Sequence, residues 1–283
     1  MLEVMFWPLM ACILLPGLLV YLGLHVMQRE IIFVDIAMAQ VASLGMCVAV
    51  LFHQNLNGPV TFAISLGFTM LGAAIFAIVR KQKNEVPLEA IIGIVYIMSA
   101  AASVLLLSRA AEGNEQIKNM LIGNILFVTP SDVGRTFALF LATGVFHWAL
   151  RRQFRLISFD PSRAYEEKMN VKWWDFLFYA SVGLVATCFV RIAGVLLIFT
   201  YLIVPATCGI RLAKGFVARL LLGFCVAMLG GVGGLFFSFW FDLPSGAAIV
   251  CTFGMLMIMV FSFTRVHAIF SCIIGAKAKL RRL

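Results

Sequence analysis

The sequence predicts an all-α polytopic membrane protein of about nine transmembrane helices. Of its 283 residues, 63% are hydrophobic and only 12% charged, against about 25% charged in an average soluble domain. A soluble fold must cover its surface with polar groups, so this balance excludes a soluble enzyme, a disordered chain and a disulfide scaffold. The apolar runs are about twenty residues long and apolar on every face, the length a helix needs to cross about 30 Å of hydrocarbon. Only helices or closed barrels satisfy all their backbone groups in lipid. Barrel strands would instead alternate apolar and polar residues in segments of about ten.

Runs bounded by charges or turn residues place the spans at about 5–27, 31–53, 59–80, 88–108, 131–150, 172–191, 193–211, 215–239 and 245–264. No Lys or Arg precedes Arg29, so the first run lacks a basic n-region and reads as a retained span. Between the fourth and fifth spans, the apolar piece Met120–Val128 is too short to cross and is expected as a re-entrant or interfacial helix. Between the fifth and sixth, Ser158-Phe-Asp160-Pro161 followed by Glu166 and Glu167 carries a helix-start signal. A short polar helix there would offer a docking surface to another protein. The brief break Arg191–Gly194 suits a tight hairpin between the sixth and seventh spans. Pro205 removes a backbone hydrogen bond from the seventh, which is expected to kink or break. Gly230 and Gly234, four residues apart in the eighth span, let helix backbones approach closely; a gate hinge is the other reading. Residues 265–283 read as a basic amphipathic tail lying on the membrane.

Basic residues set the orientation. With the N-terminus outside and the C-terminus cytosolic, 18 Lys and Arg fall inside and only Arg109, Lys118, Arg135 and Arg191 fall outside. The net charge of +9 is therefore a signature of membrane orientation and lipid contact, and it does not point to nucleic acid. Trp7 and Trp240 fall near the outer interface, and Trp148, Trp173 and Trp174 near the inner one. The seven cysteines lie in or beside apolar runs without a Cys-x-x-Cys pair, as small membrane-buried residues.

Polar groups inside spans are functional candidates, because hydrocarbon penalises them. Asp35 and Gln40 in the second span and Glu89 at the start of the fourth stand out as candidates for a metal translocation path. His25, His53 and His147 lie near span ends and read as interfacial. No Gly-x-x-x-x-Gly-Lys-Ser/Thr phosphate loop occurs. No intramembrane His/Asp or Ser/Lys constellation suggests an enzyme.

Several short motifs follow one another along almost the whole chain. They are Gly23 with Arg29-x-x-x-Phe33, Gln40-Val-Ala-Ser43-Leu-Gly45, Glu89-Ala-Ile-Ile-Gly93 and Leu121-Ile-Gly-Asn124. Asp160-Pro161-x-x-Ala164, Ala193-Gly194 through Pro205-Ala206 and Asp242-Leu-Pro244-Ser-Gly246 follow. In this series the chain resembles the permeases of ABC-type divalent metal importers, the zinc and manganese uptake family.

The resemblance implies a permease of the type II importer kind in the cell inner (plasma) membrane, a homodimer with the pathway between its copies. Cytosolic ATP-binding cassette subunits would bind ATP, and an extracytoplasmic substrate-binding protein would deliver the ion. This chain would bind no cofactor and catalyse no reaction. Residues 1–264 would form the permease domain, with a coupling loop at about 156–170. Asp160, Pro161, Ala164, Tyr165, Glu166 and Glu167 would meet the ATPase, and Ser43, Pro205, Gly230 and Gly234 would be pathway or hinge positions.

The chain departs from the family at two places. Many members carry Asp-x-x-x-His in the second span, which stacks both ligands on one helix face. Here Gln40 stands at the histidine position, Ile36 at the acid position, and the acid comes one residue earlier, at Asp35. Five residues of helix leave Asp35 and Gln40 about 140° apart, so they are not expected to chelate one ion. The family often has a glycine shortly after the coupling-loop alanine, where Lys168 stands here. Zinc, manganese or iron remain as cargo, with a metal chelate or cofactor-like solute as the alternative. An ion-coupled secondary transporter would show paired membrane acids or an inverted repeat, and the sequence presents neither.

Overall fold

A computed structural model describes residues 2–52, 58–80, 87–108, 123 and 125–280, with side chains described for all of these except 2–4, 191 and 267–280. Among the described residues there is no strand. The helices are α1 (Leu2–Gln28), α2 (Val34–Leu51), α3 (Pro59–Val79), α4 (Leu88–Leu107) and α5 (Pro130–Ala149). They continue as α6 (Arg151–Phe159), α7 (Pro161–Glu166), α8 (Val171–Leu212), α9 (Phe216–Phe241) and α10 (Ser245–Leu280). Among the described residues, eight helices or helix arms are long and apolar enough to cross a membrane, and α5 with α6, bent by 74°, makes a ninth if that pair counts as one span.

Local chemistry explains where the helices begin. Pro59, Pro130 and Pro161 occupy the first turns of α3, α5 and α7, where a missing N–H costs nothing. Before α5, Thr129 and Asp132 close a reciprocal cap. The Asp132 N–H donates to Thr129 Oγ1 at 3.3 Å, and the Thr129 N–H donates to Asp132 Oδ2 at 3.1 Å.

Gly194 (φ 74, ψ 164) divides α8 into two arms, Val171–Val190 and Ile192–Leu212. Asp175 in the first arm bonds Arg29, and Thr207 in the second lies against Met27. Both arms thus return to the same end of α1, which makes them the antiparallel hairpin expected at Arg191–Gly194. The turn before α5 packs on the hairpin tip, where a Cβ on Gly123 (φ 65) would sit 2.2 Å from the Ala193 carbonyl carbon. The interruption falls at Gly194, whereas the second arm stays helical through Pro205. Losing one backbone bond does not end a helix that is packed against α1, α9 and α10.

α2 and α8 lie innermost, packed against α1, α3 and α4 on their several sides. α4 and α10 are peripheral and expose Ile97, Met98, Leu105, Ile258, Met259 and Phe263, a surface suited to lipid or another apolar partner. Gly230 and Gly234 form a packing contact with α10. A Cβ at Gly230 would lie 2.4 Å from the Phe253 ring, and one at Gly234 would lie 2.5 Å from Ile249 Cα.

Of the expected re-entrant piece, the described part is Gly123 and a 3-10 turn at Ile125–Phe127 leading into Val128. The Ile125 N–H donates to Ser245 Oγ at 3.1 Å. Met120–Ile122, Asn124 and His53 lie outside the described residues. The tail expected from residue 265 continues α10 as helix through Leu280, and its side chains beyond 266 likewise lie outside them.

Candidate functional site

The site grows from the reversal between α1 and α2. Glu30 takes a left-handed backbone (φ 57), and the Ile32 N–H donates to Glu89 Oε1 at 3.1 Å. Glu89 therefore ties the first turn of α4 to the start of α2.

One turn on, Asp35 is 1% and Gln40 3% exposed. Both Asp35 carboxylate oxygens and the Gln40 amide oxygen are buried without a hydrogen-bond partner among the described residues. Such groups cost about 1–3 kcal/mol each, more when charged. α2 is one helix from Val34 to Leu51, so the two side chains leave it about 140° apart and no chelate forms between them. Among the described residues, no group of three His, Cys, Asp or Glu could hold a metal. Gln40 shares its face with Ile36, Leu44 and Val48, all of intermediate exposure, which makes that stripe the more open side of α2. Ser43 is buried on the same helix. Nearby hydroxyls line the seam of α2, α3 and α8: Ser65 Oγ donates to Ala42 O at 2.7 Å, and the Thr69 and Thr187 hydroxyls are 3.3 Å apart.

The end of the bundle that carries Arg29 holds a buried charge cluster. Arg29 Nη1 donates to Asp175 Oδ1 at 2.8 Å, and its Nε donates to Ser158 Oγ at 2.8 Å. Its guanidinium lies 3.9 Å from the Phe178 ring centroid. Arg80, from the end of α3, also bonds Asp175 Oδ1. Burial pulls the Arg29 guanidinium down to about 10 while Asp175 acts in the other direction, so Arg29 remains a cation at neutral pH. His25 Nδ1 lies 2.9 Å from Ser158 Oγ, and His147 Nε2 lies 2.9 Å from Ser181 Oγ. Both histidines are buried among aromatic rings. They are buried side chains in the last turns of α1 and α5.

Next to this cluster, α6 and α7 form the short helices between two spans. Asp160 Oδ1 caps α7 by accepting the Arg163 N–H at 3.2 Å, and Pro161 fills its first turn. Ala164 is fully buried and seats the helix, while Tyr165 and Glu166 face outward. Glu167 pairs with Arg163 at 3.3 Å and Arg152 at 3.5 Å. The helix ends in a Schellman turn. Met169 N–H donates to Ala164 O at 3.1 Å and Lys168 N–H donates to Tyr165 O at 3.0 Å. Lys168 takes φ 53 there, the backbone a glycine would adopt freely. A cleft of about 400 Å³ lined by Arg152, Arg155, Asp160, Arg163, Glu167 and Phe216, with three arginines against two acids, opens beside α7.

At the other end of α3 and α5 is a cavity of about 1110 Å³, lined by Phe62, Phe127, Asp132, Arg135, Leu139 and Leu184 among others. Its walls are mostly apolar, with Asp132 and Arg135 as the charged groups. Sequence reasoning missed the Arg29, Arg80, Asp175 and Ser158 cluster. The available signal was an acid beside Trp173 and Trp174, at the same membrane level as two arginines that end other spans.

Similarity to known proteins follows this geometry. The model of the ABC 3 transport family matches residues 1–264. The chain is 27% identical over 219 residues to the manganese transport system membrane protein MntC of Listeria monocytogenes, covering 75% of this chain and 78% of that protein. It is 22% identical over 262 residues to the high-affinity zinc uptake system membrane protein ZnuB of Haemophilus influenzae, covering 92% and 97%. Among solved structures, PsaBC from Streptococcus pneumoniae in complex with Fab superposes with a TM-score of 0.77 at 22% identity, over 92% of this chain and 91% of that one.

Proposed function

The chain belongs to the ABC 3 transport family, and from that premise we propose that it is the membrane permease of an ABC importer for a divalent transition metal. Manganese and zinc are the cargoes that the names of its relatives carry, and iron shares their preference for oxygen and nitrogen donors. The permease works as a homodimer whose pathway runs between the copies. A cytosolic ATPase supplies the energy, and a substrate-binding protein on the far side delivers the ion. The end bearing Arg29, Arg80, Arg152, Arg155 and Arg163 faces the cytosol, in keeping with the excess of basic residues there. Asp35, Gln40, Ser43 and Glu89 are assigned to the path, and Asp160, Pro161, Ala164, Tyr165, Glu166 and Glu167 to the ATPase contact.

One observation carries this reading: α7 is a capped helix between two spans, anchored by buried Ala164 while Tyr165 and Glu166 remain exposed. A helix held on one side and open on the other is built to be gripped.

A metal chelate is a second reading, favoured by the α2 stripe of Ile36, Gln40 and Leu44. That stripe presents alkyl groups around a buried neutral amide, where a naked cation would need charged or imidazole ligands.

One assay tests both readings. The permease is purified with its ATPase in lipid nanodiscs, and ATP hydrolysis is followed as the binding protein is added with manganese, zinc, iron or their chelates. Stimulation by a free ion supports the metal reading, and stimulation by a chelate alone supports the second. Ala164→Arg, which forces a long cation into a filled seat, abolishes the stimulation while the permease still inserts. Unchanged stimulation in that variant would refute the docking role of α7.

A further inference from the structure

Ser158 lies two residues before Asp160, the residue that caps α7, and it is 3% exposed. Its hydroxyl meets His25 Nδ1 and Arg29 Nε, both contributed by the end of α1 and the turn beyond it. Arg29 is held a second time by Asp175 at the start of α8, and Asp175 is held a second time by Arg80 at the end of α3. Arg29 is 7% and Asp175 1% exposed, so water cannot replace either partner if they separate. Breaking a buried pair on one side strands an uncompensated charge, which is far more costly than loosening a surface pair.

The chain between Arg29 and α2 is short and hydrogen-bonded along most of its length. The Arg29 N–H donates to His25 O at 3.1 Å, Ile31 N–H to Val26 O at 3.4 Å, and Val34 N–H to Ile31 O at 3.2 Å. Glu89 takes the Ile32 N–H. No loose segment separates Ser158 from the first turn of α2. The ion pairs on the outer side of α7, from Glu167 to Arg152 and Arg163, involve far more exposed groups, and surface pairs of this kind yield easily.

We propose that Ser158, Arg29 and Asp175 form a fixed linkage that transmits displacement of α7 into the start of α2, with Ser158 and Asp175 as positioning residues. When a partner pulls on α7, the helix α6 moves with it through Asp160, and Ser158 takes Arg29 along. Arg29 in turn carries the reversal that leads into Asp35 and Gln40. The linkage explains why a buried serine, two arginines and a carboxylate gather at this end of the bundle. It rests on the ABC permease reading, since it needs a partner that moves α7.

The test uses fluorine NMR on the permease–ATPase complex in nanodiscs. A trifluoromethyl-phenylalanine replaces Tyr165 in α7 in one sample and Phe33 at the start of α2 in another; both positions are exposed. Trapping with ATP and vanadate is expected to shift both resonances in the otherwise unaltered protein. In Ser158→Ala the Tyr165 probe still responds, while the shifted population at Phe33 falls by at least about fivefold. Ser158→Thr keeps the hydroxyl and restores the Phe33 response. Asp175→Asn behaves like Ser158→Ala.

A normal Phe33 response in Ser158→Ala and Asp175→Asn would overturn the linkage. So would loss of assembly in both variants, or a Ser158→Thr protein that behaves like Ser158→Ala. A Tyr165 probe that ignores nucleotide in the unaltered protein would instead defeat the ABC permease reading, and the linkage with it. A Tyr165 response alongside a silent Phe33 in that protein would defeat the linkage alone.

Discussion

Lys168 occupies a left-handed backbone position that closes α7, with φ 53 and both Schellman hydrogen bonds in place. A side chain with a Cβ costs roughly 1–2 kcal/mol in that conformation, and glycine avoids most of it. Lys168→Gly should therefore raise the thermal stability of the purified permease by about 1 kcal/mol, read as an upward shift of its melting transition. A downward shift would mean that the lysine side chain has a compensating contact. Asp35 offers a sharper division between stability and function. Its carboxyl group is buried with neither oxygen partnered among the described residues, so Asp35→Asn replaces an ionisable buried group with a neutral one of the same shape. Melting should stay level or rise while metal uptake falls. If uptake is unchanged, Asp35 has no part in the path. At this scale the sequence was only partly readable. Asp35 and Gln40 stand out because apolar neighbours surround them, and their 140° divergence follows from helix geometry alone. The Arg29 cluster does not stand out, because its partners are 129 and 146 residues away in the chain and only the packing of α1, α6 and α8 brings them together.

Among the elements, the spans were legible because hydrocarbon enforces about twenty apolar residues for each crossing. The hairpin at Arg191–Gly194 was legible from a single charged break followed by glycine. Short elements were harder to read. The segment after residue 120 looked helical by composition, yet its described part is a three-residue 3-10 turn pinned under the α8 hairpin by Gly123 and Ser245. The hairpin break lies at Gly194 as expected, whereas the helix continues through Pro205 without a second interruption, because a packed proline bends a helix more readily than it ends one. The α9–α10 contact provides a paired test. Gly234→Ala places a methyl 2.5 Å from Ile249 Cα and should destabilise the permease by about 1–3 kcal/mol. Gly254→Ala in α10 meets nothing within 4 Å and should gain about 0.5–1 kcal/mol of helix propensity. Thermal melting of the two variants should diverge in sign, and parallel shifts would show that close packing is not what Gly234 provides.

For the whole molecule, charge asymmetry gives the strongest sequence argument, since 18 of the 22 basic residues lie on one side of the predicted spans. The same end of the bundle gathers the buried cluster, the arginine-rich cleft and the capped helix α7, while the cavity of about 1110 Å³ lies at the other end. A polarity of this kind suits a machine driven from one face and loaded from the other. An ion-coupled carrier would need its acids paired within the membrane, and here Asp35 is buried without a partner among the described residues. The most direct measurement is uptake of radioactive manganese by proteoliposomes that hold the permease with its ATPase, with the binding protein outside. Uptake should require ATP at the face bearing α7 and should not respond to an imposed proton or sodium gradient. Uptake driven by either gradient without ATP would contradict the assignment of this chain as an ABC importer permease.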